Sequence, residues 1–186
     1  SEKLDAEPFV SYLKRKQPGI VFVAGRENSA LASLREARGQ QFDAVFIGGD
    51  GWQGIVTDTA ASNGAYVGTS FNAEDPTPEV QRFVHAFESK YHVKPDAFAA
   101  LAYDATKLIA QAIRKNGPDR KSIRNFLAGL EPSSPFEGVS GPIYFNSSGD
   151  PMGMGFHVAQ VVSGQLVTGG GHVSMVSSLS SGGIDQ

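Results

Sequence analysis

Not one cysteine occurs among the 186 residues, which excludes disulfides, thiolate-held metals and cysteine nucleophiles. That absence suits a cytosolic protein, or a secreted one whose core is large enough to fold without staples. Long apolar runs are missing too: none approaches the ~20 residues that span a bilayer, so no direct membrane insertion is expected. Charge of one sign is scarce as well. Sixteen Lys and Arg against nineteen Asp and Glu leave −3, so neither nucleic acid nor an anionic membrane is an expected partner. Ser1-Glu2-Lys3-Leu4-Asp5 is polar and acidic rather than a basic start before an apolar run, so it does not read as a signal peptide, and if the protein is exported its leader is expected upstream. The four histidines, His85, His92, His157 and His172, lack metal-site spacing: the gap between the first two is two helical turns, beyond i, i+4 geometry. There is no G-x-S-x-G elbow and no Walker loop, and Gly48-Gly49-Asp50-Gly51 lacks the G-x-G-x-x-G spacing of a dinucleotide site. The expectation is therefore no catalytic residue, no metal and no cofactor.

What is present is an αβαβ rhythm. Phe9, Val10 and Leu13 share a helical face, and Lys14-Arg15-Lys16 before Gln17-Pro18-Gly19 closes that helix with cations and a breaker. Ile20-Val21-Phe22-Val23-Ala24 runs apolar without alternation, which reads as a parallel strand covered on both faces. A turn follows with Asn28 or Ser29 as N-cap. Ala30, Leu31, Leu34 and Ala37 then form a helix face, and Ala44-Val45-Phe46-Ile47 is a second apolar strand. Such alternation predicts βαβ units and a parallel sheet.

Beyond Asp50 the rhythm loosens. Residues 66–71 read as a strand, and Val80, Phe83, Val84, Phe87 and Tyr91 mark an amphipathic helix over 78–92. Past Pro95, a longer stripe from Phe98 to Ile113 ends at Asn116-Gly117-Pro118, and Asp119 caps a short helix. From Gly138 the texture is β, with tight turns at 146–150 and 163–164. Residues after about 168 are Gly/Ser-rich and read as a flexible tail.

Four stretches carry a resemblance by their order and spacing over residues 8–167. They are Leu34-Arg35-Glu36-Ala37-Arg38-Gly39, Ile47-Gly48-Gly49-Asp50-Gly51-Trp52, Ala102-Tyr103-Asp104-Ala105, and Phe136-Glu137-Gly138-Val139-Ser140-Gly141-Pro142-Ile143 with Gly149-Asp150-Pro151. Together they resemble the type I periplasmic solute-binding proteins of branched-chain amino-acid ABC transporters. The resemblance implies an α/β fold of Rossmann-like lobes, with mostly parallel sheets flanked by helices and ligand held between two lobes. It covers only the C-terminal half of such a receptor, hence an incomplete two-lobe fold. By analogy 1–67 belong to lobe two, 68–134 to lobe one and 135–167 again to lobe two, with 168–186 a tail. The implied function is extracytoplasmic capture of an amino acid or small amide, in the periplasm or outside the cell. The implied partners are an ABC permease and a complementing N-terminal half.

Open α/β sheets bind ligands beyond the carboxyl ends of their strands, where loops 25–28, 48–52 and 70–75 fall. By the resemblance, Asp50 takes the ligand's α-ammonium in a charge-assisted hydrogen bond. On its own, Gly-Gly-Asp-Gly reads as a turn. Arg26 falls where the family contacts the ligand side chain; it reads equally as a solvated arginine at a helix start, and a one-residue slip puts Glu27 there. Phe98 matches a position that packs on the ligand's apolar part, or is one more member of its helix stripe. Trp52 reads as a wall of the cleft or as a packed core residue. Two other readings keep the α/β fold: the sensory domain of a signalling receptor, and a small flavodoxin-like enzyme with a phosphate-bearing cofactor.

Overall fold

The computed structural model describes residues 4–168. Thr168 closes the last strand, and the Gly/Ser-rich tail expected over 168–186 otherwise lies outside the described residues.

The first unit is built on a five-stranded sheet ordered β1 (Ile20–Phe22), β2 (Val45–Gly48), β3 (Tyr66–Thr69), β7 (His157–Val162), β8 (Gln165–Thr168). The first three strands are parallel, and β7 and β8 run antiparallel at the far edge. Helices α1 (Glu7–Lys16), α2 (Glu27–Gly39) and α3 (Thr59–Ser62), with a 3-10 helix at Asp50–Thr57, supply the rest. The β7–β8 hairpin turns on Ser163 (φ 51°) and Gly164 (φ 79°). That two-residue, positive-φ turn matches the twist of the strands it joins.

One sheet face carries the core. Val21, Phe46, Val67 and Val161 point to one side and pack with Ala30, Leu31, Leu34 and Ala37 of α2 and with Ile55 of the 3-10 helix. The period-3.6 spacing on α2 and the period-2 alternation on the strands thus meet in one layer. The opposite face differs from the expectation of strands buried on both sides. The register sets Ile20 beside Val45 and Phe22 beside Ile47, and Ile20 and Phe22 are 68% and 66% exposed. Their apolar character is that of a covered strand, but no helix among the described residues lies over them.

At α2 the structure also corrects a cap. The helix starts at Glu27 with Arg26 in the N-cap position, and Ser29 instead donates its hydroxyl to the Arg26 carbonyl at 2.7 Å.

The second unit comprises α4 (Pro78–Tyr91), α5 (Ala97–Asn116), α6 (Arg120–Ala128) and a small antiparallel sheet of β4 (Phe136–Gly138), β5 (Gly141–Phe145) and β6 (Pro151–Met152). Phe71, Val80, Phe83, Val84, Ala97 and Ala100 form one apolar cluster, and Leu108, Leu130, Phe136 and Ile143 another. The strands of 136–152 pack on α5 and α6. Only β7 and β8 rejoin the first sheet. The reason is visible at Asp104. This buried carboxylate accepts hydrogen bonds from the Val139 and Ser140 backbone N–H groups, each at 2.8 Å, and from the Ser140 hydroxyl at 2.6 Å. It also fills the space beside Gly138, where a Cβ would lie 2.6 Å from its Oδ2. Two separated motifs, Ala102–Ala105 and Phe136–Ile143, are therefore joined by one side chain.

Near the first sheet, Arg35 of α2 pairs with Asp58 at 2.7 Å, and Asp58 also caps α3 through the Ala61 N–H. The Arg35 hydrogen bond, helped by that cap, holds the Asp58 carboxyl below the ordinary carboxylate range.

Two outcomes test these contacts. Asp104→Ala should lower unfolding free energy by roughly 2–4 kcal/mol in urea titrations, because two N–H groups lose their acceptors away from water; a change under about 0.5 kcal/mol, typical of a surface site, would contradict the clasp. Because the folded-state pKa of Asp58 is depressed, its stabilisation is present above the unfolded-state value and fades as pH falls through the folded one. In Arg35→Met, the Asp58 midpoint read by carboxyl NMR should rise toward the ordinary value, while an unmoved midpoint would remove Arg35 as the cause.

Candidate ligand-binding site

The carboxyl ends of β1, β2 and β3 open onto one edge of the first sheet, which is where the ends of helices and loops can converge on a ligand. The β2 end is shaped by a tryptophan. Trp52 is fully buried, and its ring lies so close to Gly48 that a Cβ there would fall 2.1 Å from Cδ2. Only glycine lets the chain fold back onto itself at this distance. The fold-back turns residues 49–51 outward and leaves Asp50 exposed at the first position of the 3-10 helix. Trp52 is thus placed beneath the loop, in the core with Phe46 and Ile55, rather than on an open wall.

The β1 and β2 loops touch. A Cβ on Gly51 would lie 3.2 Å from the Gly25 carbonyl oxygen and 3.6 Å from Arg26 Cα. The Glu27 carboxylate lies over Gly54, where a Cβ would come within 2.1 Å of Oε2. Arg26 and Asp50 are therefore neighbours on an exposed rim, and among the described residues they form no ion pair with each other. Asp50 accepts from the Gly51 N–H at 2.9 Å through Oδ1. The turn reading of Gly-Gly-Asp-Gly is realised in that bond, and a carboxylate with two oxygens keeps acceptor capacity beyond it.

Phe98 stands in the first turn of α5 and is 55% exposed. The stripe it begins is divided: Ala97, Ala100, Leu108 and Ala112 are buried, while Phe98, Ile109 and Ile113 are not. Tyr103 joins an aromatic row, its ring 4.7 Å from that of Phe83.

Sequence reading missed Gln53. It is buried, and its Oε1 accepts from the Ala97 N–H at 3.0 Å, so the 3-10 helix that begins at Asp50 is tied to the helix start that carries Phe98. The only signal was a polar residue within the apolar run Trp52-Gln53-Gly54-Ile55-Val56. Gln53 also lines a cavity of about 370 Å³ with Thr69, Asn72, Glu74, Lys94 and Thr168. Here Lys94 pairs with Glu74 at 2.9 Å, and that bond raises the lysine's pKa. A larger groove of about 730 Å³ lies between α4, α5 and β4, away from Asp50.

Chemically, the touching loops offer the Asp50 and Glu27 carboxylates beside the Arg26 guanidinium, groups of both signs suited to a zwitterion. Among the described residues no cluster of His, Cys, Asp or Glu suits a metal ion, and no helix is long and apolar enough to cross a membrane.

Residues 1–165 match the family described as periplasmic binding protein. Among solved structures, a leucine-binding protein from Thermotoga maritima superposes with a TM-score of 0.81 at 24% identity, over 91% of this chain and 49% of that one. The branched-chain amino-acid transporter substrate-binding protein of Streptococcus pneumoniae, solved with isoleucine, gives 0.79 at 26% identity over 88% and 48%. A solute-binding protein of an ABC transporter from R. palustris, solved with benzoate, gives 0.76 at 20% identity over 90% and 46%. The chain spans about half the length of the solved structures it matches. With its mixed, mostly parallel sheet flanked by helices, it belongs to the periplasmic binding protein family.

Proposed function

We propose that this chain forms part of an extracytoplasmic receptor, not an enzyme, that closes two lobes around an amino acid or related small polar solute and delivers it to an ABC permease. The observation that carries the ligand class is the rim at the strand ends, where Gly51 lets the loops of Arg26 and Asp50 abut. A carboxylate exposed at that place suits a ligand bearing an ammonium group, through a charge-assisted hydrogen bond. Of the solutes bound by the relatives, isoleucine has that group and benzoate lacks it. Asp50 therefore favours the amino-acid class.

In this reading Asp50 takes the α-ammonium, Arg26 faces an anionic or polar group of the ligand or of the opposing lobe, and Phe98 packs on its apolar part. Trp52 acts from below, by holding the Asp50 turn. The uncovered face of Ile20, Phe22 and Val45 is the side on which a complementing N-terminal half docks, since burial of each such side chain contributes roughly 1.5–3 kcal/mol. That half also supplies the grip on the ligand carboxylate.

Calorimetry on the complemented receptor tests the assignment. Asp50→Ala should weaken binding of a free amino acid by about a hundredfold, the loss expected for a hydrogen bond to a charged group. Unchanged affinity in that variant would remove Asp50 from the site.

A further inference from the structure

The geometry points to Gln53 as the residue that sets the angle between the two units, a positioning role for the ligand site. The inference rests on the reading that Asp50 and Phe98 contact one ligand.

Gln53 and Ala97 lie 44 residues apart, on the 3-10 helix of the first unit and at the first residue of α5 in the second. An amide N–H at the start of a helix has no intrahelical acceptor. The usual acceptor for such an N–H is the helix's own cap, and Asp96 does cap α5, but by accepting from the Ala99 N–H at 2.8 Å. The Ala97 N–H is left to a side chain from the other unit. Because a backbone N–H can only donate, it fixes the Gln53 amide with Oε1 toward Ala97 and Nε2 away. Nε2 is buried and has no hydrogen-bond partner among the described residues, and Gln53 as a whole is 6% exposed. A buried donor without an acceptor is costly, so a side chain needed only for packing would be better served by methionine or leucine. What the amide does that these cannot is accept from α5.

Its location gives that bond leverage. Gln53 lines the cavity where the chain passes from β3 into the second unit, beside Phe71 and Asn72. Asn72 in turn accepts from the Thr168 hydroxyl at 2.8 Å, so the crossing is also held to the end of β8. Gln53 lies three positions after Asp50, and Ala97 is adjacent to Phe98. A bond between the inner members of these pairs fixes the distance between the outer ones. Without it, the units sample wider angles and a ligand must select the competent one, which lowers apparent affinity by the competent fraction.

The absence of cysteine makes the test clean. Spin labels at Lys16→Cys on α1 and His85→Cys on α4, both exposed, report the distance between the units without ligand. Gln53→Met, equal in length but without the acceptor, should broaden that distance distribution and speed hydrogen exchange at the Ala97 amide at least tenfold. Gln53→Glu, which keeps the acceptor, should retain the narrow distribution. In the complemented receptor, the Met variant should bind an amino acid roughly tenfold more weakly. An unchanged distribution in Gln53→Met, or equal broadening in the Met and Glu variants, would overturn the positioning role. Because the distance and exchange readings need no ligand, they stand apart from the amino-acid reading, whose failure would show as no binding by the unsubstituted receptor.

Discussion

The contact on which the site depends is the Trp52 ring seated against Gly48. A strand that ends in glycine lets an indole return to within van der Waals reach of its own backbone, and the chain between them must loop outward. That loop contains Asp50. The same fold-back starts the 3-10 helix in a direction that buries Ile55 under the sheet and turns Gln53 toward α5. One close approach therefore orients a carboxylate, a core residue and a bond between units. Any side chain at position 48 would push the indole out of a densely packed layer, where even one added carbon is felt.

A second constraint is the asymmetry of the first sheet. Its inner face is complete, with apolar residues from three helices and four strands in one cluster. Its outer face presents Ile20, Phe22 and Val45 to solvent, and the stripe on α5 shows Phe98, Ile109 and Ile113. Apolar faces of this kind are covered in parallel α/β folds. The proposed docking of a complementing half would cover the face of Ile20, Phe22 and Val45 and leave Phe98 to the ligand.

Much of the fold was legible because its signals are periodic. Ala30, Leu31, Leu34 and Ala37 spell a helix face, and the apolar runs at 20–24 and 44–47 spell strands. The Asp119 cap and the 163–164 turn follow from local chemistry and were readable in the same way. Legibility failed where distant contacts decide. Nothing local in Phe136–Phe145 says that these strands will leave the first sheet for α5; the Asp104 carboxylate, 35 residues away, makes that choice. Burial on both faces of β1 was inferred from composition, and composition records what a strand meets in its full setting. At the candidate site, the roles of Arg26 and Asp50 come from the resemblance, applied to loops that follow strands, whereas Gln53 was invisible because its partner is a backbone N–H with no sequence signature. Trp52 lies in the core, the alternative that its sequence left open.

The electrostatics at the rim are simple. The exposed Asp50 carboxylate and the neighbouring Arg26 guanidinium are well solvated until a ligand and a second wall displace water, and only then does the lower local dielectric strengthen their hydrogen bonds. The central claim is that the ammonium of an amino acid meets Asp50 at that moment. The most direct measurement is carboxyl and amide NMR of the complemented receptor during titration with leucine. The account predicts that the Asp50 carboxyl carbon, the Gly49 and Gly51 amides and the Trp52 indole N–H shift together with ligand. Shifts confined to the groove between α4 and α5, with the 48–52 loop silent, would contradict it.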